Sequence, residues 1–170
     1  PDPVAASSVN ARLVPMRDAG LFQNLVREAE QIAGVERAAL TNRVPLTLGA
    51  RFFPNRASVN VPGHQPPDDA DGCAVESSVV SAGYFETMSI PVSEGREFDS
   101  REMDGQLAAL VNEAFARRFF SGESALGRTI DVDGQELQIV GVAADTKART
   151  LDEDETALVY LSFEQQRPPQ

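Results

Sequence analysis

The sequence has no tryptophan, one cysteine and one histidine, and each scarcity closes off a kind of chemistry. Cys73 alone can form neither an intrachain disulfide nor a thiolate metal cage. His64 sits in a proline-rich stretch, and no G-x-S-x-G turn presents a serine for it to activate, so it reads as a loop histidine. Positive charge is also short: 15 basic residues face 26 acidic ones, a formal charge of -11. With no Lys/Arg cluster as a local exception, that balance repels phosphate backbones and anionic headgroups and argues against nucleic acid as a partner. No apolar run approaches the roughly 18 residues that cross a bilayer, and "PDPVAASSVN" lacks the basic and apolar regions of a signal peptide. The stretch as given predicts a soluble domain. It begins without Met and enters an apparent strand at once, which predicts a piece excised from a longer protein.

What is present suits one domain, or two small subdomains sharing a core: 170 residues, 42% of them hydrophobic, enough to bury a sizeable interior. "ASSVNARLV" alternates, with Val9, Ala11 and Leu13 on one face, and predicts a strand that Pro15 ends. In "DAGLFQNLVREAEQIAG", Leu21, Phe22, Leu25, Val26, Ala29 and Ile32 recur at helical spacing between a capping Asp18 and a terminating Gly34. "VERAAL" reads as a returning strand, giving a βαβ-like opening. Residues 43–73 are rich in Pro, Gly and Asp and predict an exposed hairpin or excursion around the short alternating piece "ASVNV". "AVESSVV", "IPVSEG", "LAALV" and "ALVYLSF" read as strands. Asn112 is placed to cap a helix over "NEAFARRFF" that puts Phe115 and Phe119 on one side. In "TIDVDGQELQIVGVA", Ile130 and Val132 face Leu137 and Ile139 across Asp133-Gly134, a dipeptide suited to a tight hairpin turn.

Three stretches invite a chemical reading, and each has a plainer one. "GESALGRT", residues 122–129, nearly spells a phosphate-binding loop, but Arg128 replaces the lysine, and the order is helix then strand. A phosphate loop instead leaves a strand and enters a helix. Gly122 and Gly127 therefore read as turn glycines. "PDDADG", residues 67–72, could offer carboxylates to calcium, yet Pro67 falls at the first ligand position of an EF-hand and Ser78 at the twelfth. A solvated acidic loop fits better. The acids Asp152, Glu153, Asp154 and Glu155 likewise read as hydrated surface.

The aromatic run "SAGYFETMSIPVSEGREF", residues 81–98, remains. Ser81 is placed to cap a helical turn, Tyr84, Phe85 and Met88 bring large apolar area, and Gly95 with Arg96 closes the turn that follows. The plain reading is a packing anchor, the alternative an aromatic ligand site.

Three segments in register now resemble one family. "VSAGYFETMSIPVSEGREF" is similar to "V-S-P-G-Y-F-x-x-M-G-I-P-L-x-x-G-R-x-F" of the MacB-like periplasmic core domain in FtsX-type ABC-transporter permeases. "ALVNEAFARRFFSGESALGRTI" resembles that domain's "A-I-V-N-E-x-F-A-R-R-x-F-P-G-x-x-P-I-G-K-x-I", and "IVGVAADTKARTLDEDETALVYLSF" resembles its "V-V-G-V-V-x-D-x-R" segment, acidic loop and closing "V-Y-x-P" strand. Order and spacing agree over residues 79–163. The departures are Ala82, Ala125 and Ser162 where proline is usual, and Ser89 where glycine is usual.

The resemblance implies an α+β fold: a porter-like α/β layer over residues 1–80, rejoined by about 144–165, a mostly β sabre-like second subdomain over 81–143, and a tail from 166. It implies a non-catalytic extracytoplasmic domain with no bound cofactor, attached to its own transmembrane helices. The partners it implies are a cytoplasmic ATPase and a second permease copy in a homodimer; whether a periplasmic adaptor docks is left open. The task implied is coupling of ATP-driven helix motion to the periplasmic side, in efflux or mechanotransmission. Its motif positions are structural: Gly83, Tyr84, Phe85, Gly95, Arg96, Phe98, Asn112, Phe115, Gly127, Gly141, Asp145 and Tyr160, with Tyr84 and Phe85 at the subdomain junction. The rival readings are a ligand- or peptide-binding module using "RFFPNRASVNV" as an exposed edge, the periplasmic domain of a lipoprotein-releasing permease, and, last, a hydrolase.

Overall fold

Strands that are buried at every position, not at alternate ones, are covered on both faces, and two of the described strands are of this kind: β4 (Ala108–Asn112) and β7 (Leu158–Ser162). They pair antiparallel, with Leu110 opposite Tyr160. The computed structural model describes residues 19–43, 55–65, 72–99, 106–147 and 155–165. Around β4 and β7 lie β1 (Arg56–Asn60), β2 (Cys73–Val80), β3 (Val92–Gly95), β5 (Thr129–Val132) and β6 (Gln135–Ala143), with helices α1 (Ala19–Glu30), α2 (Tyr84–Thr87) and α3 (Glu113–Phe120).

These strands form one mixed sheet in the order β3-β6-β4-β7-β2-β1-β5, and β5 also pairs with β6. Six strands thereby close into a ring, and β3 is attached outside it. β2 runs parallel to β7, and β4 parallel to β6. The nine-residue β6 makes the closure, because β5 pairs with its first half and β3 with its last residues. Strands of residues 81–143 thus bond to strands of residues 1–80 and 144–165 at two seams, β4 to β7 and β5 to β1.

The two-residue period of a strand sends alternate side chains to opposite faces. Ala109, Val111, Val159 and Leu161 point into the ring with Val59, Ile130, Ile139, Phe115 and Phe119. Ala108, Leu110, Leu158 and Tyr160 point out, where Tyr84, Phe85, Ile90 and Phe98 cover them.

Several local expectations are met. Asp133 and Gly134 turn at φ +52° and +84°, aligning Ile130 with Leu137. Asn112 caps α3 by accepting the Phe115 N–H at 3.0 Å, and Phe115 and Phe119 are both buried on its inner side.

Others are corrected. Residues 35–40 form no strand; the chain meets the end of β2 through the Thr41–Val80 bridge and the bonds of Leu40 and Asn42 on either side of it. On α1 the apolar residues do not share one buried face: Phe22, Val26 and Ala29 are half-buried, whereas Leu21, Leu25 and Ile32 are exposed. The "ASVNV" piece is no exposed excursion or edge. It is β1, flanked by β2 and β5, with Ala57, Val59 and Val61 in the core. Ser81 does not cap α2 with its side chain; Gly83 takes that position, and Ser81 Oγ accepts the Leu40 N–H at 2.9 Å. The expected strand over residues 6–14, Asp18, residues 67–71, Asp152 to Asp154 and the tail from 166 lie outside the described residues.

Candidate functional site

The run from Ser81 to Phe98 builds an aromatic brace on the outer face of β4 and β7. Gly83 adopts φ +77° at the start of α2, a left-handed conformation that glycine takes without a Cβ penalty. The single helical turn then presents Tyr84 and Phe85 together, and Thr87 Oγ1 ties it off by donating to Gly83 O at 2.8 Å. Ser89 turns the chain at φ +53°, and the Ile90 N–H returns to Phe85 O at 2.8 Å. The Phe85 ring meets Tyr160 edge-on, centroids 4.8 Å apart, and Tyr84 in the same manner at 5.5 Å. Phe98 closes the group 6.5 Å from Phe85. All four rings are at most 5% exposed, so they fill interior space and line no open hollow. Burial pushes the Tyr160 hydroxyl up to about 12, opposed by its bond to Thr146 and by Arg43. Burial raises Tyr84 as well, again against Arg43.

Gly95 and Gly141 stand opposite each other where β3 crosses β6. A Cβ on Gly95 would collide with Val140 O and the Leu126 side chain, and one on Gly141 with Arg96 O. Two bare backbones are what this approach requires. The Arg96 N–H continues the contact, donating to Val140 O at 3.0 Å.

A polar clamp sits where α3 begins. Asn112 is buried and uses its whole amide. Its Oδ1 accepts Phe115 N–H and Leu158 N–H at 3.0 and 2.9 Å. Its Nδ2 donates to Asp145 Oδ1 at 2.7 Å and Thr156 O at 2.9 Å. Asp145 also accepts the Ala114 N–H at 2.8 Å and Arg117 Nη2 at 2.7 Å. Arg117 reaches on to Glu155, and its guanidinium is held further in the charged form first by the bond to Asp145. One clamp thus joins β4, α3, the exit of β6 and the start of β7.

The remaining candidates resolve into structure. Gly122 and Gly127 are turn residues at φ +89° and +77°, and the Gly127 N–H donates to Ile139 O at 2.8 Å. Arg128 pairs with Glu123 at 2.5 Å, while the helix-then-strand order of this stretch aims no helix N-terminus at a phosphate. His64 rests edge-on against Phe119, centroids 5.0 Å apart. Among the described residues no cluster of three His, Cys, Asp or Glu could hold a metal, and no helix is long and apolar enough to cross a membrane.

Sequence reasoning missed the buried ion pair Arg43–Glu76, 2.5 Å with side chains 6% and 4% exposed, and the buried Glu164. A glutamate inside the apolar "AVESSVV" run was a signal for the first.

Fold and site together define an α+β scaffold in which the aromatic motif residues pack and Asn112 and Asp145 clamp the sheet. The MacB-like periplasmic core domain profile matches residues 4–169, and the chain belongs to that family. Among curated proteins none matches. Among solved structures, the periplasmic region of MacB from Actinobacillus actinomycetemcomitans superposes with TM-score 0.57 at 13% identity, over 84% of this chain and 55% of that one. The extracellular domain of the noncanonic ABC-type transporter YknZ from Gram-positive bacteria gives 0.55 at 15%, over 83% and 62%. A domain of a putative permease protein from Porphyromonas gingivalis gives 0.50 at 14%, over 78% and 52%. At these identities the likeness is one of fold, and this chain spans under two thirds of each of those chains.

Proposed function

We propose that this chain is the non-catalytic extracytoplasmic domain of an ABC-transporter permease, and that it works as a stiff body carrying ATP-driven motion of membrane helices to the periplasmic side. In the whole protein its partners are its own transmembrane helices, a cytoplasmic ATPase and a second permease copy. The observation that carries this reading is where the motif residues go: Tyr84, Phe85, Phe98 and Tyr160 pack against one another on β4 and β7, and Asn112 and Asp145 lock the same strands at one end. The proposed porter-like and sabre-like parts are then two arcs of one ring, β1, β2 and β7 against β4 to β6 with β3 attached outside, and the brace lies beside the β4–β7 seam. Such a body moves as a unit because its interior is close-packed.

The test uses the full-length permease with spin labels at the exposed positions Met88 and Glu136. ATP binding is expected to change the distance between protomers while the Met88–Glu136 distance within a protomer stays fixed. In Phe85→Ala the internal distance should broaden; Phe85→Leu should keep it narrow. A fixed distance between protomers, or an internal distance that shifts with ATP in the unsubstituted domain, overturns the reading.

A further inference from the structure

Residues 21–43 are joined to the sheet in a different way from everything else described. Within them only Arg43 is buried, while Leu21, Leu25, Ile32 and Val35 are exposed. Apolar contact comes from Phe22, edge-on to Phe163 with centroids 5.8 Å apart, and from the half-buried Ala39 and Leu40. Apart from the exposed Arg37–Glu86 ion pair to α2, the rest is a polar seam along β2. Ser81 N–H donates to Leu40 O at 3.0 Å and Asn42 N–H to Val79 O at 3.1 Å. Val79 N–H donates to Asn42 Oδ1 at 2.9 Å, and Leu40 N–H to Ser81 Oγ at 2.9 Å.

The seam ends at the buried Arg43–Glu76 pair, where Arg43 Nη1 has no hydrogen-bond partner among the described residues. A buried pair with an unmatched donor fixes position more than it stabilises, because desolvation offsets its attraction. Segments with little buried apolar area open at lower free energy than the core. α1 and its polar return path fit that description, and the doubly covered β4 and β7 do not.

We infer that residues 19–43 form a strap that releases from β2 as one unit while the sheet stays folded. Release would uncover the edge of β2 from Ser78 to Ser81, opposite its β7 side.

Native-state hydrogen exchange by NMR at rising sub-denaturing urea tests this. The amides of Asn42 and Ser81 should share one opening with a weaker urea dependence than those of Leu110 and Val159. Asn42→Ala, which removes a seam acceptor from an exposed residue, should speed exchange at positions 42 and 81 about tenfold and leave Leu110 and Val159 within about twofold. Equal urea dependence at all four amides overturns the strap. So does an Asn42→Ala protein in which all four accelerate alike, or in which Ser81 exchanges at its original rate.

Discussion

The Ala82 N–H donates to Glu164 Oε1 at 3.2 Å, and Ser162 Oγ donates to Glu164 Oε2 at 3.1 Å. Both donors stand where the family pattern carries proline, which has neither an N–H nor a hydroxyl. Glu164 is buried, and a carboxylate taken out of water needs its lone pairs matched. Two departures from the pattern therefore meet on one side chain. Ala82→Pro should destabilise by about 1.5–3 kcal/mol, the range for a hydrogen bond to a charged group. The same change in a Glu164→Leu background should cost less, and urea unfolding of the double-mutant cycle reads that coupling.

Phe85 touches Tyr84, Phe98 and Tyr160 at once, so its removal leaves a cavity that three other rings cannot all move to fill. Phe85→Ala should cost about 3–5 kcal/mol, measured by thermal or urea unfolding. An unchanged melting curve would mean that the ring is not packed as described.

Ser89 and Gly83 both hold positive φ, +53° and +77°, but only one is glycine. Ser89→Gly should raise stability by about 0.5 kcal/mol, since relief of left-handed strain exceeds the added unfolded-chain entropy. Gly83→Ala should lower it by about 1 kcal/mol although nothing crowds the added Cβ, because the penalty is conformational. Opposite shifts in melting temperature are the expected pair of results.

Burial keeps the Tyr160 hydroxyl protonated to about 12, against 10.0 in the unfolded chain. The folded state thus binds the proton more tightly, so its contribution is whole below pH 10 and is lost as pH rises towards 12. Two units correspond to at most about 3 kcal/mol. Urea titrations between about pH 9 and pH 11.5 should show a steeper loss in the parent than in Tyr160→Phe; parallel curves would place the titration elsewhere.

Asn112 can be replaced in two informative ways. Asn112→Ala strands the Leu158 N–H and removes the α3 cap, about 3 kcal/mol together. Asn112→Asp keeps both accepted bonds but sets a carboxylate oxygen against Asp145 Oδ1, where Nδ2 now donates at 2.7 Å. Its loss at neutral pH should shrink as the solution is acidified, while that of Asn112→Ala should not.

Features decided by neighbours in sequence could be read from it. The Asp133-Gly134 turn, the Asn112 cap and the all-apolar "LAALV" strand each follow from a few adjacent residues. Features decided by distant partners could not. Which side of α1 faces the body depends on Phe163, far along the chain, and helical spacing alone places Leu21 and Phe22 on equal footing. β1 looks like an excursion because its flanks are polar and proline-rich, yet its place is set by pairing with both β2 and β5. Residues 35–40 have strand composition, but only the end of the segment meets β2. Glu164 and Arg43 gave no local sign of burial, since a charged residue goes inside only where partners from other elements wait for it.

Ring closure also has a consequence for how copies of this domain meet. A strand with a bare flank is a template on which another chain can extend the ladder. Here β1 and β5 cap each other, and β6 is occupied along both flanks. Among the described strands the one that pairs on a single flank is β3, four residues long, preceded by Pro91 and bearing Glu94. Crowded at high local density, these domains should stay distinct instead of zipping into fibrils.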